Sequence, residues 1–232
     1  MARLARVLSA NTAFHVTQRG NARQLVFEND SDHLVYLDLL QTACVLHAVS
    51  VVGYCLMSNH VHLIAVPTRP ESLPLALKDT HGRYAAYFNA RRASSGHVWQ
   101  GRYYSCPLDD QHLWAALRYT ELNPVRASIV GDAVEYRWST AAVHCGVAAP
   151  DPFLEKEIFP AAWTSDRWRR YLDRGDSDEE IAAIRACTHT GRPLGSVEFV
   201  SGLEQALRRR LAPGRGGRPA KERPDERQAE LF

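Results

Sequence analysis

Two runs of strand-forming residues joined by a tight turn constrain this chain more than any other feature. Val49 to Leu56 is rich in β-branched and aromatic residues, Met57-Ser58-Asn59 supplies turn chemistry, and His60 to Val66 resumes the strand pattern. Together they predict a β-hairpin with two histidines just past its turn, and a hairpin pairs its strands antiparallel. The flanking segments extend the pattern. Residues 13–20 alternate and end in Gly20, as a strand would. Residues 31–47 place Leu34, Leu37, Leu40 and Leu46 near helical spacing, with Asp30 or Ser31 as cap. A longer helix is expected over 72–92, a strand over 98–105, and a helix from Asp109/Asp110 to about Asn123, closed by Pro124. The order strand, helix, hairpin, helix, strand, helix predicts an α+β fold on an antiparallel sheet.

After residue 148 the chain changes character. Pro150, Pro152 and Pro160 punctuate a linker-like stretch, two short helices are expected near 178–187 and 197–211, and residues 212–232 form a basic Gly/Pro/Arg-rich tail expected to be disordered. The reading is therefore a principal domain over 1–148, a helical region over 149–211 and the tail. The helical region is either a small helix-turn-helix-like DNA-binding unit or a packing appendage. Truncation after about residue 150 is therefore expected to leave a domain that folds and binds its target more weakly.

Length and composition bound the rest. With 232 residues, 45% hydrophobic and 23% charged, a sizeable core can be buried. No apolar run approaches the roughly 18 residues of a membrane span, and polar Asn11-Thr12 cuts short the basic, apolar start, which argues against a signal peptide. Five widely spaced cysteines without a Cys-x-x-Cys pair point to reduced thiols in a cytoplasmic protein. The formal charge of +2 says little, but of 28 basic residues only Lys78, Lys156 and Lys221 are lysines. Arginine suits bidentate phosphate contacts, although a GC-rich genome produces the same bias.

Two clusters carry chemistry. His60 and His62, two apart in a strand, project from one face and can grip one metal ion; an incidental polar pair on a half-exposed sheet has the same spacing. Tyr119 and Asn123 lie one helical turn apart, off the stripe that Leu113 and Leu117 turn to the core. That places a hydroxyl nucleophile beside an amide-oxygen ligand on an exposed face. Alternatively, Tyr119 packs on the core edge and Asn123 ends the helix before Pro124.

Met57-Ser58-Asn59-His60-Val61-His62-Leu63, Trp99-Gln100-Gly101-Arg102-Tyr103 and Arg118-Tyr119-Thr120-Glu121-Leu122-Asn123-Pro124-Val125-Arg126-Ala127 occur in order, preceded by Val16-Thr17-Gln18-Arg19-Gly20-Asn21. Over roughly residues 10–145 the chain resembles the REP-associated tyrosine transposases, single-tyrosine HUH enzymes related to the small insertion-sequence transposases. The resemblance implies a ferredoxin-like α+β sheet, with His60 and His62 as the HUH metal ligands, Asn123 as the third and Tyr119 as the nucleophile. It further implies Mg²⁺ or Mn²⁺, single-stranded or hairpin DNA as substrate, a 5′-phosphotyrosine intermediate, a monomer or homodimer, and a nucleoid-associated bacterial setting. A phosphodiester is anionic with a poor leaving group, so a hard cation suits the step; zinc suits it less. A tyrosine titrates near 10 and needs help from the metal or a neighbouring cation.

Arg102, Arg118 and Arg126 are candidate phosphate contacts, or else solvated surface arginines; Tyr103, with Tyr104 and Trp99, is a candidate base-stacking residue, and a core role suits Trp99 at least as well. Gly217-Arg218-Pro219 resembles the core of an AT-hook. Two rival functions remain: a catalytically silent hairpin-DNA-binding regulator, against which the intact His60, His62, Tyr119 and Asn123 argue, and a metal-dependent RNA nuclease, which has no need of Tyr119.

Overall fold

The structure, a computed structural model, describes residues 5–155 and 163–212. Four strands, β1 (Ala13–Arg19), β2 (Val49–Met57), β3 (His60–Pro67) and β4 (Tyr104–Leu108), form one sheet in the order β2-β3-β1-β4, every pair antiparallel. With helices α1 (Asp30–His47) and α2 (Ser72–Arg91), the chain order is βαββαβ, the ferredoxin-like arrangement. The predicted hairpin is β2-β3, and β3 lies in the sheet interior between β2 and β1.

Strand alternation divides the side chains between two faces. Phe14, Val16, Val61, Leu63 and Ala65 turn towards α1 and α2, where Tyr36, Leu40, Leu77, Tyr84 and Phe88 complete an apolar core. Ala13, Val52, Ile64 and Cys106 turn the other way, onto α3 (Asp110–Glu121), which brings Leu113, Ala116 and Leu117. Gly53 permits the close approach of α3: a Cβ there would lie 2.4 Å from Leu117 Cδ1 and 2.9 Å from Thr140 Oγ1.

Three boundaries differ from expectation. The cap of α1 is Asn29, whose side chain accepts from the Asp32 amide, one residue before the predicted cap. The last strand begins at Tyr104 instead of residue 98, because Trp99 leaves strand geometry to fill the core and donates its indole N–H to His81 O at 2.9 Å. Helix formation resumes after Leu122 as the short α4 (Asn123–Arg126), since Pro124 falls in a first turn, where its missing N–H costs nothing.

Beyond α5 (Ala141–His144) the described chain continues with α6 (Ser165–Asp173), α7 (Asp178–Thr190) and α8 (Val197–Leu207). Helix α6 was not expected from the sequence; the remaining two match the predicted pair. Trp168, Leu172 and Ile184 join the same buried cluster as Ile64 and Leu117, so α6 and α7 complete the core on the second face of the sheet. After α7 the chain runs along β4, with Leu194 N donating to Pro107 O at 2.9 Å and Asp109 N to Leu194 O at 3.2 Å. Helix α8 buries Leu203 with Leu211 and Val7. The tail from residue 213, including Gly217-Arg218-Pro219, lies outside the described residues. Among those described, no helix is long and apolar enough to cross a membrane.

Candidate active site

The second face of the sheet becomes polar towards one end. His15, Thr17 and Arg19 of β1 share that face with His60 and His62 of β3, because the register sets Thr17 opposite His62 and Arg19 opposite His60. The His15 and His62 rings lie nearly parallel, 5.1 Å apart between centroids, and the His60 ring lies edge-on to His62 at 5.0 Å. Tyr119, on α3, sits edge-on to both, 5.7 Å from His15 and 5.8 Å from His62.

Second ring nitrogens are held in place. His60 Nδ1 lies 2.6 Å from Asn59 Oδ1, an acceptor, so that nitrogen carries the proton and Nε2 keeps its lone pair. His62 Nδ1 lies 2.9 Å from His15 Nε2, and His15 Nδ1 lies 2.7 Å from Thr188 Oγ1 of α7. Burial, with Arg19 nearby, pushes His60 down to about 4. Burial, reinforced by His60, His15, Arg126 and Arg19, holds His62 well below the ordinary imidazole range. Both imidazoles are therefore neutral at pH 7, the form that binds metals.

Tyr119 is surrounded by cations. Arg185 Nε of α7 donates to its hydroxyl at 3.3 Å, and the Arg126 guanidinium sits 4.0 Å above its ring while donating to its carbonyl. Asn123 turns its amide N–H groups back to the carbonyls of Tyr119 and Thr120, each at 3.1 Å, which leaves its oxygen as the group available to a ligand. A cavity of about 520 Å³ gathers His60, His62, Tyr119 and Asn123 with Arg19, Arg126 and Arg185. Among the described residues no group of three or more His, Cys, Asp or Glu is arranged to hold a metal. Any ion here would rely on the two histidines and a neutral oxygen.

A family model described as IS200-like transposase matches residues 9–123. The chain belongs to that family. A REP-associated tyrosine transposase bound to a REP hairpin resembles this transposase with a TM-score of 0.52 at 14% identity, over 67% of this chain and 98% of that one. That likeness is one of fold. A transposase candidate from Deinococcus radiodurans gives a TM-score of 0.37 at 16% identity, over 55% of this chain and 92% of that one. No protein of curated function matches the chain.

The transposase thus brings together five residues singled out in its sequence: His60, His62, Tyr119, Asn123 and the candidate phosphate contact Arg126. The face bearing Tyr119 and Asn123 is not exposed as expected: they are 4% and 9% exposed, and Arg185 of α7 reaches over Tyr119. Arg118 is no surface phosphate contact. It is buried, bonded to Asp176 and Glu180, and stacked 4.3 Å over Tyr171, so it ties α3 to α7. Tyr103 is no base platform either, being buried in the core beneath Arg6 at 3.9 Å. Arg102 is exposed and outside the cavity lining. Tyr104 does reach the cavity, stacked on His189 of α7 at 5.2 Å. His15, Arg19, Arg185 and Thr188 were missed. His15 and Arg19 share the period-2 face of β1, a signal present in the sequence. Nothing local marks Arg185 or Thr188, which reach the site only through packing.

Proposed function

We propose that this transposase cuts and rejoins single-stranded hairpin DNA through a 5′-phosphotyrosine on Tyr119, assisted by Mg²⁺ or Mn²⁺ held by His60, His62 and Asn123. The observation that carries this reading is the convergence of a buried tyrosine hydroxyl, two neutral imidazoles and an amide oxygen in one arginine-lined cavity. The donor set fits a hard divalent ion, with two Nε2 lone pairs and an uncharged oxygen that leave room for phosphate and water. A bound ion would polarise the phosphate and offset the charge that develops on it.

The chain's own residues perform the remaining work. Tyr119 Oη forms a bond to phosphorus as the bond from phosphorus to the 3′ oxygen breaks; the phenolic proton passes to solvent, and the leaving oxygen takes one from solvent to become a 3′-OH. The phosphodiester bond is exchanged and not hydrolysed, so rejoining needs no ATP. Arg185, at the attacking oxygen, and Arg126 and Arg19, in the same cavity, stabilise the pentacoordinate phosphate. Tyrosine and histidines come from one chain, so a monomer holds a complete site. Hairpin DNA as substrate is supported by the REP hairpin bound to the fold relative.

The test is a covalent adduct. Incubated with single-stranded hairpin DNA from around the gene and Mn²⁺, the protein should yield a protein–DNA species that survives denaturing electrophoresis. Tyr119→Phe keeps the ring's packing and should abolish adduct and cleavage together while DNA binding persists. Undiminished cleavage by Tyr119→Phe, or an adduct mapping to Tyr104, would overturn the assignment.

A further inference from the structure

Helix α7 reaches the histidine pair through two consecutive hydrogen bonds. Thr188 Oγ1 and His15 Nδ1, 173 residues apart in the chain, lie 2.7 Å apart, and His15 Nε2 lies 2.9 Å from His62 Nδ1. Thr188, His15 and His62 are 3%, 1% and 5% exposed, so water does not compete for these contacts. Neither Thr188 nor its helix falls within the residues matched by the family model, which end at 123.

We propose that Thr188 and His15 are positioning residues that fix the proton of His62 on Nδ1 and so present its Nε2 lone pair to the divalent ion. This inference rests on the metal-site reading given above. An imidazole that ligates through Nε2 must carry its proton on Nδ1, and that buried N–H needs an acceptor. Among the described residues the partner of His62 Nδ1 is His15 Nε2. His15 must then accept there and carry its own proton on Nδ1, which leaves the Thr188 hydroxyl oxygen to accept in turn. With every proton reversed, Thr188 would donate to His15 and His15 to His62, and His62 would put an N–H where the ion binds. Only one polarity of the chain supports a ligand.

The two ligands are anchored by different means. His60 takes its acceptor from Asn59, its neighbour in the β2-β3 turn, at 2.6 Å. His62 depends on a helix far away in sequence. The same stretch of α7 places Arg185 Nε 3.3 Å from the Tyr119 hydroxyl, so a single element orients both a metal ligand and the nucleophile.

Mn²⁺ binding to the full-length chain without DNA, followed by electron paramagnetic resonance of the free ion, tests the relay independently of cleavage. Thr188→Val keeps the shape of the side chain and removes its oxygen; Thr188→Ser keeps the oxygen; His15→Gln breaks the chain one step nearer the ligand. Thr188→Val and His15→Gln should each weaken Mn²⁺ binding by about 10-fold or more, the usual scale for losing an outer hydrogen-bond partner of a ligand. Thr188→Ser should bind as the parent does, and Thr188→Val in chelator should still melt in one cooperative transition, lowered by no more than one unpaired buried N–H accounts for. Unchanged affinity in Thr188→Val and His15→Gln, with binding abolished in His62→Ala, would overturn the relay and leave the metal site standing. Thr188→Ser as weak as Thr188→Val would assign the effect to the methyl group's packing and also overturn it. Parent-like Mn²⁺ affinity in His62→Ala would remove the metal reading itself, and the relay with it. Should Thr188→Val fail to fold, His15→Gln decides.

Discussion

The two faces of the sheet are built from alternate residues of the same strands, yet they solve different problems. The face under α1 and α2 is closed by large rings: Tyr36, Tyr84, Phe88 and Trp99 pack on Val16, Val61 and Leu63, and the Trp99 indole N–H is paired with His81 O. The face under α3, α6 and α7 is apolar at one end, around Ile64, Cys106 and Leu117, and at the other carries His15, His62, Tyr119 and Asn123. A side chain shifted by one position along β1 or β3 would therefore exchange packing for chemistry. The difference teaches that the polar end is not an exposed surface furnished with ligands. It is a buried network whose cover comes from the last third of the chain.

The largest expected effect comes from removing that cover. A chain ending near residue 150 loses Trp168, Leu172 and Ile184 from the second face. At about 1.5–3 kcal/mol for each buried side chain the loss is roughly 5 kcal/mol or more, comparable to the whole net stability of a domain. Such a chain should be insoluble, or should show hydrogen exchange in β4 and α3 as fast as in loops. A soluble fragment with native exchange protection would instead establish residues 1–148 as an independent domain.

Next in size is Glu121→Ala. This buried carboxylate accepts from Thr140 Oγ1 at 2.5 Å and Trp168 Nε1 at 2.8 Å, and pairs with His144 Nδ1 at 2.6 Å. Its removal takes a buried charged partner from each of these three groups and should cost about 3–5 kcal/mol, measured by urea denaturation. A loss below about 1 kcal/mol would mean that α6 is held by packing alone.

Acid should weaken both faces. Burial lowers His81, on α2, and His15, on the other face of the sheet, each to about 3 from an ordinary 6.5. The unfolded chain then binds protons that the folded chain refuses, so stability is full above pH 6.5 and falls as pH drops from there towards about 3. Each histidine contributes a slope of about 1.4 kcal/mol per pH unit. His81→Phe should remove one such slope, read from melting temperatures between pH 7 and 5; an unchanged slope would place the acid sensitivity elsewhere.

The smallest effect sharpens the contrast between the faces. Tyr84→Phe removes a hydrogen bond to Val26 O on the α1/α2 face. It should cost about 1 kcal/mol and leave adduct formation with hairpin DNA unchanged. Slower cleavage in Tyr84→Phe would mean that the packed face also tunes the site.

What the sequence disclosed follows from how local each signal is. Strand alternation placed His60 and His62 on one side, and helical spacing brought Tyr119 to Asn123, because both depend on neighbours within four residues. The edge of β4 was misplaced because Val98, Trp99 and Tyr103 are strand formers used as core filling. Helix α6 was hidden among prolines, although Trp168, Tyr171 and Leu172 have the spacing of a buried helical stripe. Arg118 looked like a phosphate contact because its partners, Asp176 and Glu180, lie more than fifty residues downstream. Arg185 and Thr188 were illegible for the same reason: their roles arise only when α7 docks.

Tyr119 stands between two clamps on α3: Arg118 grips α7 through Glu180 and the turn before it through Asp176, and Glu121 grips α6 through Trp168. A phenol mounted in this way is a fixed post and not a swinging arm. In the proposed reaction the post cannot carry a captured DNA end to a second location, so the incoming 3′-OH must be delivered to where the first cut was made. Traffic in the reaction then belongs to the nucleic acid. Which ends are joined, and how fast, would be governed by how the hairpin refolds at the mouth of the cavity, with the protein serving as a stationary anvil.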